Sequence, residues 1–425
     1  MKAQEIRERD HKKAIFGLSG WYLVNMLLVK AAGLWLLPIY TAYLTPAEYG
    51  VLRTLMSFAM AFPMLISLAL EAAYTRYYFQ ECDKKDGLTR LVSTYFWFIL
   101  AWGVLVVIGG NVACEYFLRP RLAIPFWPYI PLAMAIPLFQ KLVLMGSLHY
   151  TQRLKAKEVS CIDTVTFFVG TGTTLYLLVA MHYGILSMLI GGFCSAAVAL
   201  LIYLAILWRE GLLAFQFDIA ILRQGLRFSL PFVPTLACGW IANLSDRLVI
   251  MFYGSTTSVG LYSVGYDLAR TMSIVKSAVL RIFDPLLWST IVTDVERAKK
   301  RIERFLPFYF WLLFGAAATL SLFSKEIIVI LTKNSFHSAW HVIPIVAFAH
   351  LVAGLYAPFS SILAYHDKAW LIALGSFVQA FANLGLNIVF VPMFGAMAAA
   401  WTTLGSFSVF TLWTWYYSRK YVKIE

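Results

Sequence analysis

Apolar runs of about twenty residues or more, separated by short polar hinges, occupy most of the chain from residue 14 to residue 418. A bilayer core about 30 Å thick needs roughly 20 mostly apolar residues for one helical crossing. Stretches of that kind fall at about 14–37, 52–73, 91–114, 123–148, 159–181 and 185–208. After a polar, basic hinge come 228–253, 259–283, 305–323, 340–365, 369–391 and 395–418. The pattern predicts an all-α polytopic membrane protein with about 12 transmembrane helices in two six-helix lobes. Residues 1–13 form a cytoplasmic N-terminal segment, 14–208 the first lobe, 209–227 a cytoplasmic hinge, 228–418 the second lobe and 419–425 a cytoplasmic tail. The fourth run carries Pro125, Pro128, Pro131 and Pro137, which a bundle tolerates because neighbouring helices satisfy the freed carbonyls.

Sliding the chain by about 210 residues lays one half on the other. Gly50 in EYGVLRTLMSFA then meets Gly260 in SVGLYSVGYDLA, Lys155-Ala156-Lys157 meets His366-Asp367-Lys368, and Tyr183-Gly184 meets Phe394-Gly395. Six crossings per half bring both halves into the membrane from the same side. The expectation is therefore two parallel repeats about an axis along the membrane normal, with a substrate site between the lobes.

Charge fixes the orientation. Twenty-four Lys and Arg residues lie in the termini and loops on the side of the N-terminus, and only Arg119, Arg121, Lys325 and Lys333 lie in the loops opposite. Cytoplasmic loops retain Lys and Arg, so both termini are placed in the cytoplasm. Composition agrees: 60% of the 425 residues are hydrophobic and 13% charged, too few charges to cover a soluble core. The net charge of +13 sits in hinges, where topology explains it and nucleic-acid binding does not. Cys82, Cys114, Cys161, Cys194 and Cys238 are scattered without metal-ligand spacing, which implies neither a disulfide framework nor a zinc site. The charged first 13 residues lack a short apolar core with a cleavage site, so no removable signal peptide is read there.

Three stretches carry a family likeness: LTPAEYGVLRTLMSF, SLPFVPTLACGWIANLSDRLVIMFYGSTTSVGLYSVGYDLA and HDKAWLIALGSFVQAFANLGLNIVFVPMFGAMAAAWTTLGS. They resemble the polysaccharide-export branch, the Wzx-type flippases, of the multidrug/oligosaccharidyl-lipid/polysaccharide exporter superfamily. The resemblance spans both halves in order and implies a MATE-like fold of two six-helix lobes. It also implies a carrier, not an enzyme, that turns an undecaprenyl-diphosphate-linked glycan from the cytoplasmic to the outer leaflet of a bacterial or archaeal cytoplasmic membrane. The implied partners are that lipid-linked substrate, the bilayer and other polysaccharide-assembly membrane proteins, with no cofactor or metal.

Seven cations lie inside the apolar runs: Lys30, Arg53, Lys141, Arg247, Arg270, Lys276 and Arg281. A charge at mid-bilayer depth costs on the order of 3 kcal/mol, so it faces a wet interior or a partner. Depth singles out Lys30, Lys141, Arg270 and Lys276 as candidate ligands for diphosphate and acidic sugars, because concentrated negative charge is what Lys and Arg attract in a low-dielectric site. Arg53, Arg247, Asp246, Asp267, Asn383 and Asn387 are candidates for a secondary cavity or for structural ion pairs. Asp267 lies one turn from Arg270, a spacing at which the two neutralise each other. Asn243, Asn383 and Asn387 read as interhelical hydrogen-bonding residues, His149, His350 and His366 as packed or interfacial, and Glu71, Asp163 and Asp284 as interfacial. Gly33, Gly191 and Gly192 read as close-packing positions.

Two other function classes compete with the flippase. A cation-coupled drug or small-molecule exporter of the same fold would favour acidic or apolar cavity residues. A membrane-embedded glycan polymerase or glycosyltransferase would need a larger outer loop or soluble domain with carboxylates, and the longest outer loops are around 16 residues. A non-transporting scaffold would not place so many charges inside the membrane.

Overall fold

A computed structural model describes residues 35–421, apart from 83, 85, 118, 123–124, 281–282 and 284–294, without side chains at 121–122 and 295–299. Lys30, Gly33, Arg281 and Asp284 lie outside the described residues. The described chain is helical throughout, with no strand among these residues. Eight helical stretches in it are long and apolar enough to cross a membrane, so the chain is a multi-pass membrane protein.

The packing divides into two compact units. Among the described residues, unit 1 holds 35–44 and Phe58–Pro234, and unit 2 holds Thr45–Ser57 and 235–421. In chain order the helices are α1 (35–43), α2 (Pro46–Ala59), α3 (Phe62–Ser67), α4 (Leu70–Glu81) and α5 (Gly87–Phe117). Then come α6 (Tyr129–Gln152), α7 (Ala156–Leu175), α8 (Ile185–Arg209), α9 (Ile219–Ser229) and α10 (Val233–Tyr253). The chain continues through α11 (Thr256–Ala269), α12 (272–280), α13 (Val295–Leu322), α14 (Ser324–Leu331), α15 (Val342–Tyr365), α16 (Ala369–Phe394) and α17 (Ala396–Ser418).

Unit 1 builds its core where α5 and α8 pack on α6 and where α7 packs on α8, around the fully buried Tyr74, Tyr95 and Tyr203. The run expected at 52–73 is a broken helix. It stops after Ala59, restarts at Phe62, and stops again at Leu68 and Ala69, both in the left-handed backbone region. Side chains other than glycine rarely adopt that region. The segment expected to be a polar hinge also contains a helix, α9, because Asp218 caps it by accepting hydrogen bonds from the Ala220 and Ile221 amides.

Unit 2 is organised by α15, which packs on α11, α13 and α17. All of α2 up to Ser57, which the apolar pattern assigns to the first lobe, packs here. A Cβ on Gly50 would lie 1.7 Å from the Thr256 carbonyl oxygen, and one on Gly260 would lie 1.9 Å from that of Pro46. Only two hydrogens at the crossing allow the backbones this close.

The repeat is visible in backbone conformation. α2 and α11 are both 14 residues long, begin 210 residues apart, and are both interrupted after an alanine, Ala59 and Ala269. Gly184 and Gly395 share φ values of +54° and +70° and each precedes a long helix. The hinge alignment shifts by two residues from the expected one. Leu154 and Asp367, at φ +58° and +57°, are the equivalent pair. Each closes a Schellman turn, with Lys155 N–H bonded to Tyr150 O and Lys368 N–H to Leu363 O. The two extra residues of the first half are taken up beyond α7, where a π-helical turn at Tyr176–Ala180 precedes Gly184.

Candidate functional site

The break after α11 brings chemistry together in unit 2. Arg270 stands at that break, where the chain turns into α12, and is exposed rather than packed in mid-helix. Arg270, Ser273 and Lys276 line a cavity of about 380 Å³. Helix α10 contributes Asn243, α15 contributes His350 and Tyr356, and α16 contributes Gln379. Phe407 and Phe410 of α17 close one side. Lys276 Nζ lies 5.5 Å from the centre of the Tyr356 ring, a cation–π contact. His350 is buried between Tyr266 and Phe407, and its Nε2 has no hydrogen-bond partner among the described residues. Among the described residues lining the cavity there are two basic side chains, Arg270 and Lys276, and no carboxylate.

Beside the cavity lies a buried polar network whose members satisfy one another. Asp246 is fully buried and accepts from the Tyr262 hydroxyl at 2.7 Å, Asn387 Nδ2 at 2.8 Å and the Thr403 hydroxyl at 3.1 Å. Asn387 also donates to Asn383 and accepts from Thr402, and Asn383 donates to Ser406. Asp267 pairs with Arg53 at 2.5 Å and with Arg247 at 3.5 Å, and Tyr49 accepts from Arg53. Arg53, Arg247, Asp246, Asp267, Asn383 and Asn387 thus sit in ion pairs and interhelical hydrogen bonds, and none of them lines the cavity. Arg270 is not the partner of Asp267. Two arginines from other helices occupy that carboxylate.

Lys141 lies apart from this group, in unit 1, where its ammonium is 2.7 Å from Glu71. Glu71 is therefore one half of a partly buried ion pair just beyond the Leu68–Ala69 interruption. The other polar cluster of unit 1 is at the loop ends, where Glu210 meets His149 at 2.9 Å, Arg153 at 2.7 Å and Lys155 at 3.6 Å. Burial pushes the Glu210 carboxyl up, but the hydrogen bond to His149 and the charges of Arg153 and Lys155 outweigh it and hold it below its ordinary range.

Of the four cations singled out by depth, the structure brings Arg270 and Lys276 together. Lys141 is paired elsewhere, and Lys30 lies outside the described residues. Sequence reasoning named two of the cavity's neutral polar residues, Asn243 and His350, chiefly for other roles and missed Ser273, Tyr356 and Gln379. His350 reads as a packed histidine, and the Asn243 side chain, read as an interhelical donor, donates to the Gly239 carbonyl of its own helix. The one available signal was their spacing, since Asn243 and Gln379 both lie mid-helix among apolar residues.

Residues 19–281 match the profile of a family described as polysaccharide biosynthesis protein. Lsg locus putative protein 1 of Haemophilus influenzae is 22% identical over 327 residues, which cover 76% of this chain and 78% of that protein. Among solved structures, an inward-closed lipid II flippase MurJ superposes with a TM-score of 0.72 at 13% identity, over 93% of this chain and 87% of that one. An inward-facing multidrug resistance MATE transporter of the MOP superfamily gives 0.67 at 12% identity, over 95% and 97%. These likenesses show the fold: it is MATE-like.

Proposed function

This chain belongs to the polysaccharide biosynthesis protein family, and from that membership we propose that it is a lipid-linked oligosaccharide flippase. In this reading it is no enzyme. It turns an undecaprenyl-diphosphate-linked repeat unit from the cytoplasmic to the outer leaflet of the cytoplasmic membrane, with both termini in the cytoplasm.

The observation that carries the reading is the cavity of unit 2, which presents Arg270 and Lys276 with no carboxylate among its described lining residues. Unpaired cations inside a bilayer are costly unless water or an anion meets them. A diphosphate supplies that anion: the Arg270 guanidinium offers a planar fork of N–H donors to phosphate oxygens, and the Lys276 ammonium a mobile point charge. Asn243, Ser273, Gln379 and His350 add neutral donors and acceptors of the kind a sugar's hydroxyls pair with, and Tyr356 offers a ring face beside Lys276. The prenyl chain remains in the bilayer while this polar cavity carries the head. A cation-coupled drug exporter would need a carboxylate where these two cations stand.

The test is export of lipid-linked glycan in a deletion strain complemented at matched protein levels. Arg270→Ala and Lys276→Ala are each expected to lower export at least tenfold and to trap glycan on the cytoplasmic leaflet, while Arg270→Lys retains part of it. Full export by both alanine variants, or normal surface glycan in the deletion strain, refutes the proposal.

A further inference from the structure

The segment between α8 and α10 has an amphipathic surface that contributes no residue to the cavity of unit 2. Residues 211–218 run along the first turns of α5: the Thr89 hydroxyl donates to Gly211 O, Ser93 to Leu212 O, the Trp97 indole to Ala214 O, and the Asp218 amide donates to Thr94. α5 has 31 residues, about 46 Å at 1.5 Å per residue, against a hydrocarbon core of about 30 Å. Its apolar run begins at about residue 91, which sets the turn before it at the membrane–water boundary, and shortly beyond that turn the indole of Trp97 stacks on Phe215 at 4.9 Å.

From there α9 folds back against α4 and α5. Its inner face is Leu222, Gly225 and Ser229, and Phe228 is pinned under the Arg76 guanidinium at 4.4 Å. Its outer face is exposed and mixed: Phe215 is 94% exposed and Ile219 68%, with Phe217 and Leu230 also open and Arg223 and Arg227 between them. Phenylalanine and isoleucine this open to water would be unfavourable. The segment's two acids are already engaged, Asp218 as the cap of α9 and Glu210 with Arg153 and Lys155. Arg223 and Arg227 have no ion pair among the described residues.

We propose that residues 215–230 are an interfacial helix that binds anionic phospholipid headgroups of the adjoining leaflet. The apolar side chains lie among the upper acyl carbons while Arg223 and Arg227 reach phosphates at headgroup depth. Charge complementarity identifies this occupant. Apolar residues with interleaved arginines, beside the boundary end of a spanning helix, fit a negatively charged lipid surface.

Hydrogen exchange on the full-length protein tests this without any transport readout. In nanodiscs of phosphatidylcholine titrated with phosphatidylglycerol, the amides of 219–229 are expected to gain protection as the anionic lipid rises. Arg223→Gln and Arg227→Gln each raise the half-point of that titration about fivefold, and the Arg223→Lys/Arg227→Lys double variant titrates like wild type. Exchange along α5 stays constant in all of them, which separates a lost headgroup contact from unfolding. Equal protection in the two lipids overturns the proposal, as does an Arg223→Gln/Arg227→Gln variant that titrates like wild type. Protection brought on by inorganic phosphate in phosphatidylcholine discs would mark a free-anion site and overturn it too.

Discussion

Gly260→Ala adds one methyl group where α11 meets α2. Its Cβ would lie 1.9 Å from the Pro46 carbonyl oxygen, 2.9 Å from the Pro46 carbonyl carbon and 3.1 Å from the Gly50 nitrogen. A carbon and a carbonyl oxygen approach no closer than about 3.3 Å without strain, so the two helices must separate by roughly 1.4 Å. The atoms in the way are backbone, which cannot swing aside as a flexible side chain would. Overpacking of this kind costs about 3 kcal/mol, while alanine in place of glycine within a helix returns about 1 kcal/mol. The net expectation is a loss of about 2 kcal/mol. Gly50→Ala should cost at least as much, since its overlap with Thr256 O is deeper, at 1.7 Å. The double variant should cost less than the sum, because helices already parted by the first methyl leave room for the second. Gly385 and Gly405, also inside helices, have nothing within 4 Å of an added Cβ, so alanine there should be neutral or slightly stabilising. The assay is thermal unfolding of purified protein in one detergent, followed by intrinsic fluorescence. Wild-type unfolding temperatures for Gly260→Ala and Gly50→Ala, or equal losses at Gly405, would refute the reasoning.

Asp246→Ala should destabilise unit 2 by about 3–5 kcal/mol, since Tyr262, Asn387 and Thr403 all lose a buried acceptor, whereas Thr403→Val removes one donor and costs about 1 kcal/mol. Equal unfolding temperatures for the two variants would show that the network does not act together. Lys141→Ala and Glu71→Ala should each cost about 2 kcal/mol in the same assay, and the double variant less than their sum, because each single change strands a partly buried charge. Strict additivity would argue against the pair. Glu210 is held below its ordinary range, so its contribution is complete above the ordinary carboxylate range and is lost as pH falls through its lower native value. Glu210→Gln should therefore unfold at a lower temperature than wild type at neutral pH, with the gap closing on acidification. A gap that widens in acid would invert the assignment.

The all-helical, multi-pass architecture and the repeat were legible in the chain, because a bilayer demands long apolar runs and leaves few alternatives to helix. Gly50 and Gly260 align in the sequence comparison and then meet in the structure. Local signals also had limits. The two-residue shift at the hinge follows from the π-helical turn at Tyr176–Ala180, which no side-chain pattern announces. α9 was readable only as part of a basic hinge, although Asp218 and the spacing of Leu222, Gly225 and Ser229 mark a capped helix with one packing face.

What the sequence by itself determined is that the chain is a multi-pass helical membrane protein and that more cations than anions lie in its apolar runs. Which of those cations is free to meet a ligand was decided only by the tertiary structure. Lys141 and Arg270 were both singled out by depth along the chain, yet Lys141 is held in an ion pair while Arg270 opens into a cavity. Lys141 is taken by Glu71, 70 residues earlier. The physical reason lies in the solvent. Lipid is as apolar as a protein core, so the faces of a spanning helix differ little in hydrophobicity and periodicity does not say which one turns inward. The partner of a buried charge is then set by which helices cross, and that is a property of the packed chain.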